Sequence, residues 1–394
     1  MEKLKILIAN ETYPPDINGA AKFSSQLAVS LADKGHQVAV IAPSVTIKDE
    51  IEIKNNLKIF RMRSISIKKI HPYFRVIIPL DINKKVEKII KDFKPDIIHI
   101  QNHFILGRAC LKSVKKNNIP IIGTNHFMPD NLLEYLPAIV AKKANDIMWK
   151  DFVKIYNQLD YVTSPSLAAK ALIKKIGLKN NIAVISNGVN LNKFKPTKVK
   201  TEDFVKFNLD KNIPIFIFVG RLEKDKNVDL IIEATKLVLK KRKIQVVIIG
   251  KGKDENEFRR IAQDLKLGKN IIFANEVNDN DLRKLLNLAD VYIGSGSAEL
   301  QGIAVMEAMA MSLPILALNA VALPELVKSG VNGFLFELNK NDLADKMLKI
   351  ISDQSKLENM GKQSRLLIEK HDQKRVIEKF EKLYQKIIKD KRIL

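Results

Sequence analysis

Cysteine is almost absent from this chain of 394 residues: Cys110 stands alone. One thiol cannot close an internal disulfide, so burial must hold the fold, and a reducing compartment is expected. Aromatics are also scarce, at 6% with a single tryptophan, and no stacking module of the RNA-binding kind is visible. No apolar run approaches the length of a membrane span. The apolar stretch beside Lys3 and Lys5 is too short for a secretory signal core and reads as a first strand. Acids are in deficit, 44 Asp+Glu against 67 Lys+Arg, for a net charge of +23. That excess permits attraction to nucleic acid, acidic lipid or an anionic substrate, and does not choose between them.

What is present describes a globular α/β chain. Hydrophobic residues make up 46% and charged residues 28%, enough for two to three domains with cores of their own. Residues 4–9 read as a strand. Pro14 and Pro15 bar a helix, 16–19 make a turn, and Ala20, Phe23, Leu27 and Leu31 mark a helix before a strand at 36–42. This is a βαβ unit with Gly19 at the ligand-facing end of its first strand. Residues 58–75 hold six Lys/Arg and no acid, with apolar residues interleaved. They read either as an edge strand and loop with a solvated face or as a surface for anionic lipid headgroups. Strands follow at 95–101 and 119–123. His99 and His103 are four apart, but on a strand that spacing does not hold a metal; His103 is expected to face a cleft. His126 lies just past a strand's carboxyl end. The apolar stripe of 131–152 is core or, in part, a lipid contact. Residues 184–190 close the first domain, and the lysine-rich stretch 191–212 reads as a linker.

The second half begins with a buried strand at 213–219. Arg221 leaves its end and Lys226 precedes the next helix, two cations suited to a diphosphate. A strand at 244–249 ends in Gly250-Lys251-Gly252, a weak signal by itself. Asp279 and Asp281 read as N-cap and first-turn acids of a helix rather than metal ligands. The most informative stretch is 295–314, SGSAELQGIAVMEAMAMSLP. A strand, a small-residue turn and a helix opening at Gly302 expose backbone N–H groups to a ligand. Glu299 and Glu307 are eight positions apart, and Glu307 sits among Val305, Met306, Ala308 and Met309. An acid in so apolar a helix is costly unless something pairs with it.

The run ADVYIGSGSAELQGIAVMEAMAMSLPILAL resembles the E-x7-E signature of the family 4 retaining nucleotide-sugar glycosyltransferases. Gly220-Arg221 with Lys226 five residues on, VISNGVN at 184–190 and the residues around His126 resemble the same family in the same order along nearly the whole chain. NHFMPDNLL resembles a subgroup that glycosylates membrane lipids such as diacylglycerol. The chain departs from the family at Gly19-Ala20 (two glycines), at Asn275-Glu276-Val277 (Gly-x-Val) and at Asn190 (Asp).

The resemblance implies a GT-B fold, two Rossmann-like doubly wound domains facing a central cleft. Residues 1–190 form the acceptor-side domain, 213–371 the nucleotide-sugar domain, and a last helix at 372–394 crosses back to the first. It implies a retaining hexosyltransferase that uses a UDP- or GDP-sugar and a lipid or glycan acceptor, cytoplasmic and at most peripheral to an anionic membrane. Implied donor contacts are Gly19, Arg221, Lys226, Val277, Glu299, Leu300, Gly302, Ile303 and Glu307; His126, Arg221, Lys226 and Glu299 are the implied catalytic residues. No cofactor, metal or nucleic-acid partner is expected. The alternatives are the same fold acting on a soluble sugar, an epimerase, and a basic nucleic-acid-binding protein.

Overall fold

The computed structural model describes residues 2–16, 18–66, 75–129 and 138–393. The chain forms two compact units, Met1–Asn187 with Lys374–Leu394, and Gly188–Gln373.

The first unit is built on β1 (Lys5–Ala9), β2 (Gln37–Pro43), β3 (Glu50–Lys54), β4 (Leu57–Met62), β5 (Ser64–Ser66), β6 (Arg75–Ile77), β7 (Ile97–Ile100), β8 (Ile121–Thr124), β9 (Tyr161–Ser164) and β10 (Ile182–Val184). Eight of these make one sheet in the order β10-β9-β8-β7-β1-β2-β4-β3, parallel throughout except for β3. Its inner strands are nearly continuous apolar runs because both faces are covered. Leu7, Ala9, Ile98 and Ile100 face a core with Phe152 and Tyr156. Ile6, Ile8, Val38 and Val40 face another, filled by Phe23 and Leu27 of helix Gly19–Asp33 and by Phe380 and Tyr384 of helix Gln373–Ile393. Glu381 anchors that last helix, accepting from His36 Nε2 at 2.9 Å and from Lys34.

The edge of this sheet differs from the sequence expectation. β4, read as an edge strand, lies inside the sheet, and β3 covers it in an antiparallel register. The β3 sequence, EIEIK, alternates charge with isoleucine, and Ile51 and Ile53 point to solvent. Of the basic stretch 58–75, residues 67–74 with Lys68 and Lys69 lie outside the described residues; of its described cations, Arg61, Arg63 and Arg75 are paired with Glu52, Asp81 and Asp16.

The second unit carries β11 (Ile215–Val219), β12 (Gln245–Ile249), β13 (Ile271–Asn275), β14 (Val291–Gly294), β15 (Ile315–Leu318) and β16 (Gly333–Phe336) in the order β13-β12-β11-β14-β15-β16, all parallel. In chain order this is 3-2-1-4-5-6, the doubly wound arrangement whose direction reverses between β11 and β14.

The stretch 191–212 is not a free connector. Phe194 and Leu209 are buried in the core of the second unit, and Leu191, Phe204 and Phe207 pack against it. Arg365 pins its start, donating to Phe194 O at 2.8 Å and Leu191 O at 3.2 Å. The lysines that made the stretch read as solvated flank an apolar minority that decides where it sits.

Candidate active site

The strongest concentration of predicted site residues lies where the second sheet reverses direction. Residues 220–227 leave β11, and 295–302 leave its neighbour β14. Hydrogen bonds join the two loops. Ser297 donates to Asp225 O from its backbone N at 2.9 Å and from its hydroxyl at 3.1 Å. Asn227 donates to Ser295 O at 2.8 Å, and the Ser295 hydroxyl donates to Lys226 O. A third loop supports them from below. Leu222 N donates to Lys251 O at 2.9 Å, and a Cβ on Gly252 would stand 2.1 Å from Leu222 O. A Cβ on Gly250 would stand 1.8 Å from Gly220 O. Only glycine at these two positions lets the Gly250-Lys251-Gly252 turn lie against the loop that carries Arg221.

That packing gathers the charges. Lys226 Nζ is 2.7 Å from Glu299 Oε1 and 2.8 Å from the Asp225 carboxylate. Arg221 pairs with Glu223 and lies 3.6 Å from Asp225. Burial opposes the charge on Lys226, but Glu299 and Asp225 outweigh it and raise its pKa. Burial likewise opposes ionisation of Glu299, and Lys226 followed by Arg221 outweighs it, so Glu299 titrates below the usual glutamate range. Both groups are charged at neutral pH. Sequence reading picked out the two cations and Glu299 and did not single out Glu223 or Asp225.

Glu307 is 5% exposed, on helix Ile303–Ala310 among buried apolar neighbours. The Tyr292 phenol donates to Val219 O at 3.1 Å. Burial, then the charge of Glu299 and the weaker effect of Glu307 push its pKa up, so both carboxylates act on this one hydroxyl. Gly302 precedes the helix at φ +78°, and a Cβ there would meet Leu323 Cδ2 at 2.8 Å. This left-handed position brings the turn from Leu300 into Ile303 without a side chain in the way. Val277 is half-buried just past β13, the edge strand of the same sheet and two strands from β11. The cap of helix Asp279–Leu288 is Asn278, so Asp279 and Asp281 are first-turn acids, paired with Lys193 and Lys206. Among the described residues, no group of three His, Cys, Asp or Glu could hold a metal ion.

In the first unit, Gly19 opens the helix that Asn18 caps, its side chain accepting from Ala21 N at 2.8 Å. His126 meets this helix: its ring centroid is 5.0 Å from that of Phe23, and its Nε2 is 3.0 Å from Gln101 Oε1. Burial lowers the His126 pKa to about 3, leaving a neutral imidazole at physiological pH. His103, expected to face a cleft, is instead 1% exposed and ringed by Phe104, Phe127 and Phe152 at centroid distances of 4.3, 4.7 and 5.4 Å. The aromatic residues clustered around it outcompete solvent for its ring. His99, its supposed companion, bonds elsewhere, to Tyr384 and Thr124 at 2.7 Å each. Glu11, which sequence reading passed over, is raised to about 7 by burial, partly offset by backbone donors from Leu106 and Gly107. Residues 130–133 of the NHFMPDNLL run lie outside the described residues.

Two doubly wound parallel α/β units in one chain, with strand-end loops carrying the predicted donor residues, define a GT-B protein. The family model described as "Glycosyl transferases group 1" matches residues 199–367, and that described as "Glycosyltransferase Family 4" matches residues 17–193. Together they span most of the sequence, and the chain belongs to this glycosyltransferase family. It is 28% identical to an alpha-monoglucosyldiacylglycerol synthase of Acholeplasma laidlawii, over 86% of each chain. It is 25% identical to the enzyme of that name from Streptococcus pneumoniae, over 88% of this chain and 78% of the relative. A sucrose-phosphate synthase structure from Thermosynechococcus elongatus superposes with a TM-score of 0.83 at 19% identity, covering 98% of this chain and all of that one.

Proposed function

We propose that the protein is a retaining hexosyltransferase that moves a sugar from a nucleoside diphosphate donor to a membrane lipid such as diacylglycerol. The observation that carries this reading is the charged cluster at the reversal point of the second sheet, where Lys226 bridges Glu299 and the Arg221 loop. In it, Arg221 and Lys226 take the diphosphate, Glu307 the ribose hydroxyls, and the chain near Val277 the base. Glu299 and the N–H groups from Leu300 through Gly302 to Ile303 hold the donor sugar. Gly19 and His126 serve the reacting sugar from the first unit, with His126 acting as a neutral hydrogen-bonding group. No metal takes part.

The bond from the anomeric carbon to the phosphate oxygen breaks while Arg221 and Lys226 stabilise the growing charge on the leaving group. The acceptor oxygen forms the new bond on the same face, and its proton passes to the departing phosphate. The two lipid glucosyltransferase relatives support the lipid acceptor. Transfer from several UDP- and GDP-hexoses, assayed with free sugars and with diacylglycerol vesicles, tests the reading. Activity with vesicles alone is expected; transfer to free sugars alone refutes the lipid acceptor. Glu307→Ala should raise donor KM or abolish turnover, and wild-type kinetics in that variant would count against the ribose assignment.

A further inference from the structure

The proposed diphosphate site already contains anions. Glu223 and Asp225 are 2% and 6% exposed, yet they lie between and beside the two cations. Asp225 touches both, at 2.8 Å from Lys226 and 3.6 Å from Arg221, and Glu223 pairs with Arg221. The short helical turn Lys224–Lys226 sets this alternation, with Lys226 N donating to Glu223 O at 2.9 Å. With Glu299 included, two positive groups face three carboxylates. Within these ion pairs the two cations thus bring no surplus positive charge to a diphosphate.

We propose that Glu223 and Asp225 are resident counter-anions of the Arg221–Lys226 pair and hold down its affinity for a nucleoside diphosphate. The inference rests on the donor reading above. A buried Lys226 beside a half-buried Arg221 would be costly to fold without partners, and the acids remove that cost. Once a diphosphate lies against the same cations, each acid becomes a like charge beside it. The ligand must share the cations with the protein's own carboxylates, so the departing nucleotide is released rather than trapped. A purely supporting role, in which the acids only aim the cations, predicts the opposite sign when an acid is neutralised.

Calorimetric titration of the full chain with UDP, GDP and inorganic pyrophosphate separates the two. Asp225→Asn keeps the shape and removes the charge; it should tighten Kd about tenfold. Glu223→Gln should tighten it less, because its contact is with Arg221. Unchanged or weaker binding in a folded Asp225→Asn variant overturns the inference. If thermal melting shows that variant to be unfolded, Glu223→Gln decides by the same criterion. Wild-type protein that binds none of the three ligands sinks the donor reading and this inference with it. Wild-type binding without tightening sinks this inference alone.

Discussion

At the scale of single residues, the first unit keeps three imidazoles uncharged at a cost that depends on acidity. Burial lowers His99 and His126 to about 3 and His103 to about 4, from an ordinary value of 6.5. A like-charge effect from His126 adds to the burial of His99, and at His103 burial outweighs the opposing pull of Asp151. The unfolded chain binds these protons first, so their contribution is complete above pH 6.5 and is lost as pH falls towards 3–4. Glu11 has the opposite sign. Its folded value of about 7 lies above the ordinary 4.5, so it favours the folded state at low pH and loses that contribution as pH rises through 7. Near pH 5 the unfolded state still takes up about two protons more. Denaturation midpoints should therefore fall between pH 7 and pH 5, with hydrogen exchange quickening first in the first unit. A midpoint that is flat or rises over that range contradicts the burial of these rings.

At the scale of elements, the loops after β11, β12 and β14 behave as one assembly, and the glycines of the middle loop are its foundation. Gly252→Ala places a methyl 2.1 Å from Leu222 O, a contact that only backbone movement relieves. Overpacking of this kind costs on the order of 1–3 kcal/mol. It should lower the thermal midpoint and, by displacing Arg221, raise donor KM; unchanged KM would detach this turn from the site. The inner strands were legible because β-branched runs such as IFIFV at β11 and VYIG at β14 have few other uses. The edge strand β3 was missed because three of the five residues of EIEIK are charged, which an exposed edge tolerates and a propensity reading does not expect. The stretch 191–212 misled through its lysines, while its few phenylalanines determined its packing. The cation pair and Glu299 were legible through the family resemblance, since their spacing alone is a weak signal. Their acidic partners were not, because the packing around them involves a loop some 70 residues away, where Ser297 donates to Asp225 O.

At the scale of the whole molecule, the lipid acceptor proposed above makes a prediction for the charge of +23 and for Ile139, Val140 and Ile147, which are exposed on helix Ala138–Tyr156. Among the described residues no helix is long and apolar enough to cross a membrane. Co-sedimentation with vesicles rich in anionic lipid should be strong at low salt and fade as salt rises, with little binding to zwitterionic vesicles. Salt-independent binding, or none, would remove the charge from the account. The helix Gln373–Ile393 has a different kind of consequence. It supplies Val376, Phe380 and Tyr384 to a core whose other walls come from residues between Leu4 and Ile185. A ribosome makes those walls early and this plug only after every residue of the second unit. During synthesis the usual order of maturation is reversed: the later unit has its whole sequence available while the earlier one still waits, with the Phe23 side of its sheet uncovered.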